Sequence, residues 1–197
     1  MADTTAGTEN RVGFFTKIAA WIAGFGGKGV TIQEEELRIE TDVILTILPH
    51  RGRWRLIDCV VITPQKVTGF FTMTKEICEG HGIGDNIVFP GALLAEMANQ
   101  LLGVWFATQH PELIGAGKTF FARSGGYKAS TFIYPGDLVR IETSHADLSG
   151  LTKTTRRGTM TDLIGKNFVI MVGPVLKGSV PYVEIKGVEL PKITPKA

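Results

Sequence analysis

The stretch from Glu79 to Val104 brings together residue types that proton-transfer chemistry needs. His81 offers an imidazole, a Pro90-Gly91 step follows, and Glu96 stands alone in an otherwise apolar run. Imidazoles exchange protons near neutral pH, and a buried carboxylate is costly unless it is paired or neutralised. A base, an acid and a backbone amide are the groups needed to take a proton from carbon beside a thioester and to expel a hydroxyl.

The segment Ala92 to Thr108 is predicted to be a buried helix, because it is apolar nearly all round, too long for a strand and poor in β-branched residues. Its few polar or small residues, Glu96, Asn99, Gln100 and Gly103, recur at helical spacing and form one stripe. A polar stripe on a buried helix predicts a polar cleft or a subunit interface. A structural hydrogen-bond network without chemistry explains it equally well.

The Pro90-Gly91 step is typical of a helix start. Proline suits the first turn, where its missing N–H costs nothing. Glycine lets another group come close to the backbone. Unpaired amides at such a helix start can polarise a carbonyl oxygen. The same short segment therefore offers an imidazole, a carboxylate and a backbone hydrogen-bond donor.

The elements around this helix read as an antiparallel sheet. A short helix is predicted from Glu35 to Leu48, ending at Pro49. Runs rich in β-branched and aromatic residues predict strands on both sides of the long helix. One buried helix among many antiparallel strands is an α+β arrangement, with the sheet wrapped round the helix. The predicted strands are RLIDCVVIT, KVTGFFTMT, KTFFAR, DLVRIETSHAD, LTKTTRRGTMTD and NFVIMVGPVL.

The two ends are predicted to lie outside this domain. Residues 1–36 form an extension with an amphipathic helix at 13–25, which we expect to pack on the domain or on a second subunit. Contact with a membrane surface has little support, because only Arg11, Lys17 and Lys28 supply positive charge there. The domain is placed at 37–180, and the proline-containing tail at 181–197.

Composition excludes several classes of protein. The 197 residues are 44% hydrophobic and 20% charged, as in an ordinary globular domain, and the net charge of +2 gives no reason to expect a nucleic acid partner. Cys59 and Cys78 are too few for a disulfide framework and indicate reduced thiols, as in the cytoplasm. His50 and His81 lack a third ligand at a familiar spacing, so no metal is predicted.

Three motifs in order resemble those of the β-hydroxyacyl-acyl-carrier-protein dehydratases, which have the hot-dog fold. Gly80-His81 and Pro90-Gly91 match the two ends of their active-site signature, with Glu96 five residues further on. The segment LPHRGRWRLIDCV at 48–60 looks like the start of the family's domain. Pro135-Gly136-Asp137 resembles the P-G-D that precedes one of its strands. The resemblance covers about residues 40 to 178.

The resemblance implies a mechanism and an assembly. His81 would remove the α-proton, and Glu96 would protonate the departing β-hydroxyl. Because Glu96 is expected in an apolar setting, its pKa is expected to be raised. The family's paired residues come from different subunits, which implies a homodimer or a trimer of dimers. No cofactor is implied, and the partner is an acyl carrier protein. The residues expected to bind the substrate are Gly82, Phe89, Pro90, Gly91 and Gln100.

The chain also departs from the family pattern. HGIGDNIVFPG lacks the family's middle proline and is one residue longer, which a bulge can absorb. Of the basic residues that dock the carrier before the P-G-D, only Lys128 is present. Lys153, Arg156 and Arg157 are another docking surface, or an ordinary solvated strand face.

Two further functions stay open from the sequence. The same cleft with water as nucleophile would make a thioesterase acting on acyl carrier protein or coenzyme A. A chain that keeps the fold without catalysis would be a binding or assembly subunit. The combination of His81 and Glu96 favours dehydration, because elimination needs an acid and a base. His50, in the resemblance, is structural, and Cys78 beside His81 is not used as a nucleophile.

Overall fold

A computed structural model describes Thr16 and residues 29–33, 35–110, 121–155 and 158–190. The predicted helix at 13–25 lies outside the described residues apart from Thr16, and so do Arg156, Arg157 and residues 191–197. Within the described part, no helix is both long and apolar enough to cross a membrane.

Three α-helices are described, and one of them dominates. Helix α1 is Thr41–Ile47, α2 is the single turn Lys75–Cys78, and α3 is Leu93–Gln109. Helix α3 confirms the predicted long helix, shifted by one residue at each end. Residues on nearly every side of α3 are buried, as expected for a helix at the centre of a domain.

Ten of the described strands form one antiparallel sheet, and two more form a separate hairpin. The sheet runs β1-β2-β3-β4-β9-β11-β12-β7. Strand β10 pairs with β11, and β8 pairs with β12. The small hairpin is β5-β6. The bounds are β1 Val30–Gln33, β2 Glu36–Glu40, β3 Cys59–Ile62, β4 Lys66–Thr72, β5 Gly82–Ile83, β6 Asn86–Ile87, β7 Phe121–Ser124, β8 Lys128–Ala129, β9 Leu138–Ser144, β10 Leu148–Thr155, β11 Gly158–Val172 and β12 Val175–Leu190.

The sheet wraps round α3, which is the predicted α+β, hot-dog arrangement. Leu101 and Leu102 of the helix are buried in one core with Val67, Ile141 and Phe168 of the sheet. A side chain at Gly69 on β4 would meet Ile57 at 2.8 Å and Leu101 at 3.2 Å, so glycine there lets helix and sheet approach closely.

The predicted helix at 35–48 is wrong in its first half. Residues 36–40 form β2, in which Leu37 and Ile39 are buried while Glu36 and Arg38 are exposed. This alternation has the period of a strand, and β2 pairs with both β1 and β3. The charged residues resembled a helix locally, but sheet pairing decided the conformation.

The sheet also continues beyond both ends of the predicted domain. Strand β1 lies before residue 37, and β12 runs to Leu190, so residues 181–190 belong to a paired strand and the prediction of a tail outside the domain is wrong for them. Val180, Val183 and Ile185 are buried. The single strand predicted at 151–162 is instead the end of β10 and the start of β11, which pair with each other.

Candidate functional site

Glu96 opens into a cavity of about 240 Å³ on one side of helix α3. All four residues of the predicted polar stripe line it, which confirms that the stripe marks a cleft. The rest of the wall comes from the end of α1 and the loop after it, from the later turns of α3, and from β7, β11 and β12, and most of it is apolar. The lining residues besides the stripe include His50, Phe106, Ala107, Ala122, Leu163 and Ile185.

Gln100 ties this part of the helix to the segment after α1. Its side-chain amide donates to the Trp54 carbonyl at 2.7 Å and to Glu96 Oε1 at 3.0 Å. Its Oε1 accepts from the Leu56 amide at 2.8 Å. Both hydrogens of the amide and its oxygen are thus used within the protein. Gln100, predicted to bind substrate, holds Glu96 and the segment at 54–56 in place.

His50 is the second partner of Glu96. Its Nε2 lies 3.0 Å from Glu96 Oε1. His50 follows Leu48 and Pro49, so the turn that ends α1 carries its ring to the mouth of the cavity. The resemblance implied a purely structural role for His50 and gave no reason to expect this contact with the predicted acid.

The environment of Glu96 differs from the predicted one. Burial raises the pKa of Glu96, but hydrogen bonds from His50, Gln100 and Asn99 favour the charged form, and the net pKa lies below its ordinary value of 4.5. The expectation of a raised pKa is therefore wrong. The apolar helix buries the carboxyl only in part, and the polar stripe supplies donors to it.

His81 lies at the base of the β5-β6 hairpin. Its Nδ1 lies 3.2 Å from the Val88 carbonyl, and its own carbonyl accepts from the Val88 amide at 3.0 Å. Because a carbonyl can only accept, Nδ1 carries the hydrogen and Nε2 is left as the basic nitrogen. The loop residues that depart from the family pattern form the hairpin, with Gly84 at a φ of +59° in its turn.

A second cavity, of about 230 Å³, adjoins His81. Phe89 and Gly91 line it, as does Tyr127, whose ring would lie 3.2 Å from a side chain at position 91. Lys177 lies at the same cavity and donates to the Phe132 carbonyl at 2.6 Å. Large apolar side chains are exposed near this face, namely Ile83, Ile87, Tyr127, Phe132 and Tyr134.

The predicted site residues thus fall into two groups within one chain. His81, Phe89 and Gly91 line one cavity, whereas Glu96 and Gln100 line the other. Gly82 is on the exposed hairpin, and the Pro90 carbonyl accepts from the first amide of α3. The catalytic roles of these residues stay predictions.

Two residues of these cavities were not expected from the sequence. His50 stands in a recognisable segment, but no local signal indicates that it meets Glu96. Tyr127 precedes the P-G-D turn, where its ring covers Gly91. Cys78 is buried, and burial raises the pKa of its thiol, which disfavours a nucleophilic thiolate next to His81.

Comparison with curated proteins finds sequences that are similar to this chain. The 3-hydroxyacyl-[acyl-carrier-protein] dehydratase FabZ of Rhizorhabdus wittichii is 29% identical over 131 residues, covering 64% of this chain and 77% of that protein. The same enzyme of Actinobacillus pleuropneumoniae is 27% identical over 135 residues, covering 64% and 87%. This chain is similar to the 3-hydroxyacyl-[acyl-carrier-protein] dehydratases. The resemblance predicted from the motifs is thereby confirmed. No protein-family model matches the chain.

The solved structures that are similar to this chain share less of its sequence. The dehydratase heterocomplex ApeI:P from Xenorhabdus doucetiae is 14% identical, covers 76% of this chain and 91% of its own, and has a TM-score of 0.47. A thioesterase superfamily protein, RHA08564, is 14% identical with a TM-score of 0.38, covering 96% and 82%. Likeness at this level does not bear on activity.

Proposed function

We propose that this protein is a dehydratase that removes water from a 3-hydroxyacyl thioester on an acyl carrier protein and forms the trans-2-enoyl thioester. One observation carries the proposal: the predicted base, His81, and the predicted acid, Glu96, are each held by hydrogen bonds beside a cavity. His81 keeps a basic Nε2, and Glu96 is held by His50 and Gln100. The similarity to FabZ proteins supports the same reaction class.

The working unit of the proposal is a dimer. Leu94 lines the His81 cavity, and Glu96 lines the other. Residues two positions apart in a helix point in directions that differ by about 200° around its axis. Helix α3 therefore separates His81 from Glu96 of the same chain. A second copy that covers the exposed apolar face at His81 would present its own Glu96 to that histidine. Burial of Ile83, Ile87 and Tyr127 would favour this contact.

The reaction begins at the α-carbon of the substrate. His81 Nε2 takes the α-proton while the Gly91 amide, two residues before the first residue of the 17-residue helix α3, holds the thioester oxygen. The positive end of the helix dipole favours the negative charge that develops on that oxygen. The bond between the β-carbon and its hydroxyl then breaks, with Glu96 of the partner subunit facing the leaving oxygen.

The acyl chain is assigned to the apolar part of the Glu96 cavity, and the carrier protein to basic residues on the surface. The apolar wall of the Glu96 cavity, from Phe106 to Ile185, suits the hydrocarbon chain. Lys177 at the His81 cavity and the exposed Lys128 offer positive charge to an acidic carrier. Lys153, the alternative docking residue, already lies 3.4 Å from Asp162, which makes it a weaker candidate.

The proposal is tested with a 3-hydroxybutanoyl thioester on acyl carrier protein. Enoyl absorbance and free thiol are followed separately. Enoyl product without thiol release supports dehydration, and thiol release instead indicates a thioesterase. If an intact dimer forms neither enoyl product nor free thiol, the protein is a non-catalytic subunit. Either of the last two outcomes overturns the proposal.

Variants locate the chemistry in the same assay. His81→Ala and Glu96→Gln should each lower kcat by about 100-fold or more, the usual contribution of one positioned acid or base. Glu79→Gln is the matched control, because Glu79 is exposed and outside both cavities. Full activity in His81→Ala or in Glu96→Gln removes that residue from the mechanism.

A further inference from the structure

His50 is a side chain that can carry a proton and lies in contact with the proposed acid, but the proposed reaction uses it only to hold Glu96. Its Nε2 lies 3.0 Å from Glu96 Oε1 within the same chain. Gln100 donates to the same oxygen at 3.0 Å. Histidine exchanges protons near neutral pH, whereas an amide does not. Among the hydrogen-bonding partners of Glu96, which are His50, Gln100 and Asn99, only His50 can therefore change its protonation.

The backbone that carries His50 is fixed on both sides. The Arg51 guanidinium donates to the carbonyls of Leu45, Leu48 and His50 at 2.7, 2.6 and 2.8 Å. Further along, Gln100 holds Trp54 and Leu56 to helix α3. The imidazole is thus presented to Glu96 from a braced loop. Such bracing is what a proton-transfer pair needs, since small displacements cost rate.

One ring nitrogen of His50 makes no hydrogen bond within the described residues. Its Nδ1 is buried and has no hydrogen-bond partner among the described residues, and the same holds for Asn99 Oδ1 at the same cavity. Buried polar atoms that only stabilise a fold are nearly always paired. Among the described residues that line this cavity, His50 and Glu96 are the only titratable ones. The strands opposite them contribute Ala122, Leu163 and Ile185.

We propose that His50 supplies, through Glu96, the proton that the departing hydroxyl takes. This inference rests on the proposed dehydratase activity. A carboxylate that accepts two or more donors is kept ionised, as the lowered pKa of Glu96 indicates, so it has no proton of its own to give. The imidazole of His50, 3.0 Å away, is the neighbouring side chain that can carry a proton to it. His50 is a positioning residue that acts through Glu96.

The proton balance closes without any further reactant. Glu96 first takes a proton from His50 Nε2 and becomes a carboxylic acid. His81 Nε2 then gains the α-proton, the bond between β-carbon and oxygen breaks, and the departing oxygen takes the proton from Glu96. Water and the enoyl thioester leave. His81 then loses its proton to solvent and His50 regains one, which returns both residues to their starting states.

The test compares two substrates that give the same product. A 3-hydroxybutanoyl thioester needs a proton on its leaving group, whereas a 3-chlorobutanoyl thioester on the same carrier loses chloride without one. His50→Gln keeps an N–H donor for Glu96 but cannot pass on a proton. With the hydroxy substrate, its kcat should fall by about 100-fold or more at similar KM. With the chloro substrate, its rate above spontaneous elimination should stay near that of the wild type.

His81→Ala is the matched control, because loss of the base should slow both substrates alike. His50→Asn serves as a second variant, and the ratio of the two rates is read in whichever variant keeps the wild-type circular dichroism and dimer. Full activity of that variant on the hydroxy substrate, or an equal loss on both substrates, overturns the inference while the proposed function stands. A wild type inactive on both overturns the two together.

Discussion

Leu94 and Glu96, two residues apart on helix α3, line cavities on opposite sides of that helix. The Leu94 cavity holds His81, and the Glu96 cavity holds His50. Within one chain, the two predicted catalytic residues therefore line different cavities, on either side of a central helix that is buried nearly all round. The proposed chemistry therefore depends on two copies, each of which contributes one half of every site.

Mixed dimers provide a direct check of this dependence. His81→Ala and Glu96→Gln are each expected to be inactive alone. In a hybrid dimer, one site receives both substitutions and the other receives neither, so one of two sites recovers. Random exchange in an equal mixture should restore about a quarter of the wild-type activity, because half of the dimers are hybrids. The measurement is the dehydration rate after refolding the two variants together.

The control for this experiment is mixing without subunit exchange. It should leave the preparation inactive, and so should refolding of either variant alone. If co-refolding yields hybrid dimers, shown by differently tagged chains, and no activity returns, then His81 and Glu96 do not act across the dimer.

Gly178 on β12 should not tolerate a side chain. A Cβ there would lie 2.6 Å from the Lys128 carbonyl oxygen and 2.9 Å from Leu94 Cδ1. The backbone of paired strand β8 cannot move aside easily. We expect Gly178→Ala to lower the free energy of unfolding by about 1–3 kcal/mol, the usual cost of overpacking. Urea unfolding followed by circular dichroism measures it.

Gly103→Ala is the comparison variant for Gly178→Ala. Its Cβ would meet only the Leu48 Cδ2 methyl, at 3.2 Å, which can turn away. Alanine is favoured over glycine in a helix by about 1 kcal/mol, so this variant should be neutral or slightly more stable. Equal destabilisation by both substitutions would mean that the contact with the β8 backbone is not what requires glycine at position 178.

The sequence predicts the central helix and most of the sheet because their patterns are strong and local. Helix α3 is a long apolar run after Pro90-Gly91, and β3 and β4 are rich in β-branched residues on either side of a Pro64 turn. Strand β2 was missed because its alternation spans five residues, with charges that also fit a helix. Only pairing with β1 and β3 distinguishes the two.

The candidate site was predictable only in part. The stripe from Glu96 to Gly103 indicates a cleft, since helical spacing fixes which residues share a face. The contact of His50 with Glu96 is tertiary, and no periodicity encodes it. The lowered pKa of Glu96 follows from that contact and from Gln100, so it could not be foreseen either. The sequence alone does not indicate that the longer loop after His81 forms hairpin β5-β6.

The pKa of Glu96 predicts how acid affects stability. Its pKa in the folded protein is lower than the ordinary 4.5 expected on unfolding. The unfolded chain therefore binds a proton more readily, so the carboxylate stabilises the fold above about pH 4.5, and this contribution is lost as pH falls through the folded-state pKa. The free energy of unfolding of the wild type and of Glu96→Gln is measured in urea at several pH values. The difference, wild type minus variant, should decrease as the pH is lowered from about 6 to about 3.

Glu79→Gln separates this local effect from the general loss of one negative charge, since Glu79 is exposed. Its difference from wild type should change less over the same pH range, because Glu79 lies outside the network of His50, Gln100 and Glu96. His50→Gln should also weaken the dependence, since it replaces a partner that lowers the pKa of Glu96 both by its hydrogen bond and by its charge. A difference between wild type and Glu96→Gln that stays constant down to pH 3, or that grows in acid, would mean that the carboxyl is not held in its charged form by these partners.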